Sequence, residues 1–127
     1  MKYKQITTLA AVFAALNLNP DTKPDVSAWP ERYHAHKTHE FNVQMAIDAV
    51  NEGWVADWNN TDQKKHFLWL WIIEKKERVS GRGLSLYGVY YVYTYTYVGP
   101  RLVFESEAKA RHFYENFLAL YEDYYLG

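Results

Sequence analysis

The richest set of side chains that could do chemistry is His34, His36 and His39 with Glu40. On a helix, His36 and Glu40 stand one turn apart and His39 shares their face. Imidazoles and carboxylates are ligands for divalent metals. The spacing is not H-E-x-x-H, however, and an H-x-H pair on a helix splays its rings. A solvated histidine face is the favoured reading, and no metal site is expected. Asp57, Asn59, Thr61 and Asp62 resemble part of a calcium loop, but its turn glycine and closing glutamate are missing. Gly81 and Gly83 give only G-x-G, with no third glycine and no helix following, so no phosphate cradle is expected. Ser80, Ser85 and Ser106 lack a G-x-S-x-G setting. No catalytic residue and no cofactor site is therefore expected, and the chain reads as a non-enzyme. With no cysteine, thiolate ligands, disulfides and a Cys nucleophile are excluded.

What remains is recognition by aromatic rings. Half of the twelve tyrosines lie between Tyr87 and Tyr97. Positions 87, 89, 91, 93, 95 and 97 read Tyr, Val, Tyr, Tyr, Tyr, Tyr. On a straight strand alternate side chains share a face. Tyr87, Tyr91, Tyr93, Tyr95 and Tyr97 are then one ladder and the candidate interaction surface. Two placements are open. Helices from the N-terminal half cover the ladder, which the usual core role of large aromatics favours. Otherwise it forms a self-association or partner surface centred on Tyr93 and Tyr95, since tyrosine and tryptophan anchor interfaces.

The elements that must position these rings follow from periodicity. Leu9, Val12, Phe13 and Leu16 make a short amphipathic helix, with Thr7 or Thr8 as its cap. Lys2 and Lys4 before that apolar run suggest a signal peptide, but no small-residue cleavage site follows, so a helix is preferred to secretion. Pro30 and Glu31 suit the first turn of a second helix, which runs to about Asn51 and stops at Gly53. Its stripe is Val43, Ala46, Ile47 and Val50. Residues 54–65 read as an irregular connection. Phe67, Trp69 and Trp71 alternate with Leu68, Leu70 and Ile72, which fits a strand covered on both sides or central in its sheet. A polar hairpin loop, KKERVSGRG, leads to the long aromatic strand region from Leu84. That region is too long for one strand, and a turn or bulge is expected near Gly88 to Tyr91. RLVF resumes the strand after Gly99-Pro100. Ser106 then caps a last helix, whose stripe is Ala110, Phe113, Phe117, Leu120, Tyr121 and Tyr124. The expected fold is one α+β domain over residues 1–127. It has two N-terminal helices, a small antiparallel sheet of three or four strands, and a C-terminal helix packed on the sheet.

Charge narrows the partners. The net charge is −1, which argues against broad electrostatic binding to nucleic acid. The distribution is uneven: residues 61–83 carry a net +3, and residues 104–127 a net −3. Lys64, Lys65, Lys75, Lys76, Arg78 and Arg82 flank the first strand. With the tyrosines as stacking faces, single-stranded nucleic acid is the second reading after a protein partner. No segment is long enough to span a membrane, and a cytoplasmic location is expected.

Three stretches belong together: NEGWVADWNN (51–60), SGRGLS (80–85) and VGPRLVFESEAKA (98–110) leading into FYENFLALYEDYYLG. With the opening ITTLAAVFAALNLNPDTKPDVSAWPERY, the chain resembles a group of small uncharacterised proteins from Bacteroides-type gut bacteria, their prophages and phages. The resemblance spans nearly the whole chain in the same order. It implies an intracellular protein of a phage or mobile element and carries no activity or cofactor. The chain departs from the group at Pro100 (serine in the group), Val103 (cysteine), Ala56 and Leu68 (proline) and Tyr114 (glycine). Pro100 lacks a ladder donor and puts strand pairing through Gly99 to Leu102 in doubt. Among the shared residues, Gly53 suits a left-handed helix end, Trp54 and Trp58 can plug the join of helix and sheet, and Arg101 can pair with Glu105 or Glu107.

Overall fold

The computed structural model describes residues 2–78, 83–93 and 100–127. Helix α1 (Leu9–Ala15) starts where the Thr8 hydroxyl accepts from the Ala11 amide at 3.1 Å. Its Val12 and Phe13 are buried. A single 3-10 turn, Glu31–Tyr33, follows Pro30 and leads into α2 (His34–Val50). Val43, Ala46, Ile47, Ala49 and Val50 form the buried stripe of α2. The chain leaves α2 through two left-handed residues, Glu52 at φ 54° and Gly53 at φ 88°. Glycine adopts that conformation without a Cβ penalty.

Strands β1 (Lys65–Ile72) and β2 (Leu84–Val92) pair antiparallel. Helix α3 (Glu107–Leu126) begins at Ser106, whose hydroxyl accepts from the Lys109 amide. Ala110, Phe113, Phe117 and Tyr121 are its buried face, packed on α2 and on the inner face of the sheet. Inside α3, Phe117 departs from helical angles (φ −129°, ψ 20°). One residue earlier, the Asn116 side-chain Nδ2 donates to the His112 backbone carbonyl at 2.9 Å. A side chain competing for that acceptor is a recognised cause of a kink.

The α+β class and the order of helices and strands follow the sequence reading, but among the described residues the sheet falls short of three or four strands. Among the described residues it has two, and Phe104 adds a single bridge to His66. The reason is local. Pro100 removes a ladder donor, and the Ser106 cap starts α3 two residues after Phe104, so only one residue of the RLVF run reaches β1.

The tyrosine ladder is also corrected. Leu70 pairs with Leu86 and Trp69 with Gly88, which leaves Tyr87 as an extra residue in β2. The cause lies in the core-facing residues. Leu84 and Leu86 must face inward opposite Ile72 and Leu70, and Val89 must face inward opposite Leu68. Leu86 and Val89 are three apart, so strict alternation would turn one of them out. A bulge at Tyr87 absorbs the odd residue. It also moves Tyr87 to the outer face, while Tyr91 stays with His66 on the inner side. Tyr95 and Tyr97 lie outside the described residues.

Candidate functional site: the outer aromatic face

The bulge assembles a set of rings that no simple alternation predicts. Trp71 and Tyr87 meet edge to face with centroids 4.9 Å apart. Tyr87 stacks on Tyr90 at 6.1 Å, and Tyr90 meets Trp69 at 6.4 Å. Phe67 lies beneath both, packed on Trp69 and Tyr90. Gly88, opposite Trp69, makes room for this arrangement. A Cβ there would stand 3.2 Å from the Tyr90 ring, which folds back over the glycine. Desolvation first, and then the neighbouring Tyr87, hold the Tyr90 hydroxyl above the ordinary tyrosine pKa. It is thus a neutral donor and acceptor at physiological pH.

These rings are exposed: Trp69 by 55%, Trp71 by 58%, Tyr87 by 51% and Tyr90 by 45%. Helices α1, α2 and α3 belong to the core on the other side, so the expectation that N-terminal helices cover Tyr87 is not met. Nor is β1 covered on both sides as its sequence suggested. Among the described residues the outer face closes at its Lys65 end. There the buried Lys65 ammonium donates to the carbonyls of Asn60 and Gln63 at 3.2 Å and faces the Trp58 ring. Tyr91 and Tyr93 sit on each other at 5.6 Å beyond the pairing with His66, with Lys64 over the Tyr91 ring. Of the tyrosines singled out from sequence that lie among the described residues, Tyr87 alone joins this face. Trp69 and Trp71 were missed as surface, although their alternation with Leu68, Leu70 and Ile72 already put them on one face; the odd spacing of Leu86 and Val89 was the signal for Tyr87.

The histidines go separate ways. The His34 ring meets the Trp29 carbonyl at 2.7 Å, and His36 stacks on Tyr124 at 5.0 Å. Among the described residues no three metal-ligating side chains converge. Arg101 does not pair with Glu105 or Glu107. Its guanidinium lies 4.2 Å over Trp58, while Glu105 takes Lys109 and Glu107 takes Arg111. Asp48, which the sequence gave no reason to single out, lines a cavity of about 170 Å³ with Trp54, Trp58 and Arg101. Burial raises its carboxyl pKa, and a 2.9 Å hydrogen bond from Gln44 opposes the shift. That cavity is smaller than a typical small-molecule site, and Asp48 and Arg101 are the charged groups in its lining.

No helix among the described residues is long and apolar enough to cross a membrane. Comparison with protein-family models, with curated proteins and with solved structures finds no match.

Proposed function

We propose that the chain is a non-enzymatic protein-binding module, acting inside the cell as an accessory of a phage or mobile element. Its working surface is the outer face of Trp69, Trp71, Tyr87 and Tyr90. One observation carries the binding role: four large rings stand half exposed on a single sheet face, linked ring to ring. The mobile-element setting rests on the sequence resemblance alone. Apolar rings with hydroxyls among them suit the centre of a protein interface, where aromatics are enriched and charge is depleted.

Single-stranded nucleic acid is the second reading, because bases also stack on exposed rings. It needs cations beside the rings. Here Lys65 is buried, Arg78 donates to the Ile73 carbonyl at 2.9 Å, and Lys76 lies 3.5 Å from Glu74. Those three cations serve the fold or are balanced locally, and Lys64 stands over Tyr91 rather than over the outer rings, which favours the protein reading.

The test is the double variant Trp71→Ser with Tyr87→Ser, checked for folding by circular dichroism. Partner capture by the wild-type chain, cross-linked to this face and lost in the folded variant, is the expected result. Capture that survives in the variant would refute the assignment of the face. Micromolar oligonucleotide binding that weakens steeply between two salt concentrations would transfer the face to nucleic acid.

A further inference from the structure

The free edge of β1 is a second surface, distinct from the aromatic face. Amide and carbonyl of one strand residue point to the same edge, and successive residues alternate. The His66 amide donates to Phe104 at 3.0 Å, and its carbonyl accepts from Phe104 at 2.8 Å. His66 therefore fixes the direction: Leu68, Leu70 and Ile72 turn their backbone groups to that same edge. The Ile73 amide, donating to the Gly83 carbonyl on the opposite side, confirms the alternation. Past the Phe104 bridge, no described residue bonds to the backbone of Leu68, Leu70 or Ile72 on this edge.

Proteins guard strand edges with charge, proline, bulges or a cover. The outer edge of β2 has two of these devices. The bulge sits at Tyr87, and the Tyr114 hydroxyl accepts from the Leu86 amide at 3.2 Å. Among the described residues the edge of β1 has neither past the Phe104 bridge, and no charged residue or proline stands between His66 and Ile73. It is flanked instead by two grooves with leucines and tyrosines in their walls. A groove of about 310 Å³ runs between Leu68 and Leu102, with Pro100 and Arg101 at its rim and Tyr121 and Tyr125 on its wall. Another of about 240 Å³ lies between Leu70, Ile72 and Leu126.

We propose that this edge pairs with the same edge of a second copy, joining two hairpins into a four-stranded β2–β1–β1–β2 sheet. The unpaired ladder calls for an extended backbone, and the edge is complementary to itself. With the two-fold axis at Leu70, Leu70 meets its own counterpart and Leu68 meets Ile72. An isologous interface requires that match, and no like charges face each other across it. The same axis places Trp69 and Trp71 of both copies on one side, so the two aromatic faces become continuous.

Ile72 is the residue to change, because its amide points to the edge and its side chain is 69% exposed. Ile72→Pro removes an edge donor without touching the ladder to β2, and Ile72→Lys sets a charge, a usual guard of strand edges, opposite Leu68 of the second copy. Sedimentation over a concentration series is expected to show a dimer for the wild type and a monomer for both variants, with circular dichroism unchanged. If Ile72→Pro does not fold, Ile72→Lys alone decides. A wild-type chain that stays monomeric at every soluble concentration overturns the proposal. So does a dimer that survives Ile72→Lys, including one that only Trp71→Ser with Tyr87→Ser dissolves, since it would use the aromatic face.

Discussion

Lys109 and Tyr121 show how single groups tie this fold to pH. The Lys109 ammonium donates to the Asn51 carbonyl at the end of α2 and to Glu105, and it lies 3.3 Å from Glu52. Asn51 completes the knot, donating to the Val103 carbonyl and accepting from the Glu105 amide. Burial pulls the Lys109 pKa down, but the bonds and charges of Glu105 and Glu52 outweigh it and the net shift is upward. Burial also holds the Tyr121 hydroxyl well above the tyrosine range, with smaller contributions from Tyr125 and Tyr124. Both groups keep their protons in the folded chain at a pH where the unfolded chain releases them, at about 10. Their contribution is complete below that pH and falls as pH rises toward the folded values. The denaturation midpoint is therefore expected to drop above about pH 10, and Tyr121→Phe is expected to soften the drop. An identical pH profile for wild type and Tyr121→Phe would show that this hydroxyl ionises freely. At neutral pH, Lys109→Met should cost about 2 kcal/mol, because charged hydrogen bonds are lost while the half-exposed Glu52 and Glu105 keep water. A midpoint within error of wild type would remove Lys109 from the knot. Nothing in the sequence marks this lysine, since its type belongs on surfaces and its partners lie more than fifty residues away or just before its own helix.

At the scale of elements, the helices were legible and the strand faces were not. Thr8, Ser106 and Gly53 act as the caps and stops their types suggest, and the apolar stripes of α2 and α3 are the buried ones. Periods of 3.6 survive small errors of phase, whereas one extra residue in a strand reverses every face beyond it. The expected bulge near Gly88 falls at Tyr87 and decides which rings are outside. Deletions read this directly. Removing Tyr87 leaves Leu84, Leu86 and Val89 in regular alternation, so a folded chain with a loss of about 1 kcal/mol or less is expected. Removing Ser85 instead turns the buried Leu84 outward. A loss of about 2–5 kcal/mol is expected, as for other large core deletions. Equal midpoints for the two deletions would mean that the bulge does not set the register. In α3, Phe117 is 4% exposed against Phe113, and Phe117→Ala should cost about 3–5 kcal/mol in chemical denaturation. An unchanged midpoint would place that ring outside the core despite its burial.

For the whole molecule, the hairpin is the part with least support. An isolated two-stranded hairpin is marginal in water, and this one has a single packed face. It is held by α3 and by the Phe104 bridge, with the Glu122 carboxylate accepting from the Gly83 amide and the Tyr114 hydroxyl from Leu86. The helices, by contrast, share one cluster in which Val12, Val43, Ala46 and Phe113 are fully shielded. Local opening starts where buried apolar contacts are fewest. In dilute solution, the Phe67, Trp69 and Trp71 amides, which point at β2, should therefore exchange through a partial opening. Those of Val43 to Val50 and Phe113 should wait for global unfolding. Equal protection throughout would show that hairpin and helices open as one unit. Concentration adds a further dimension, because anything that binds only the folded edge stabilises it by mass action. If two copies pair along β1, protection of Leu68, Leu70 and Ile72 must rise with concentration, and Phe67, Trp69 and Trp71 must follow. The amides of α2 gain only where the whole fold is stabilised. Concentration-independent exchange at Leu70 would leave the hairpin dependent on α3 alone.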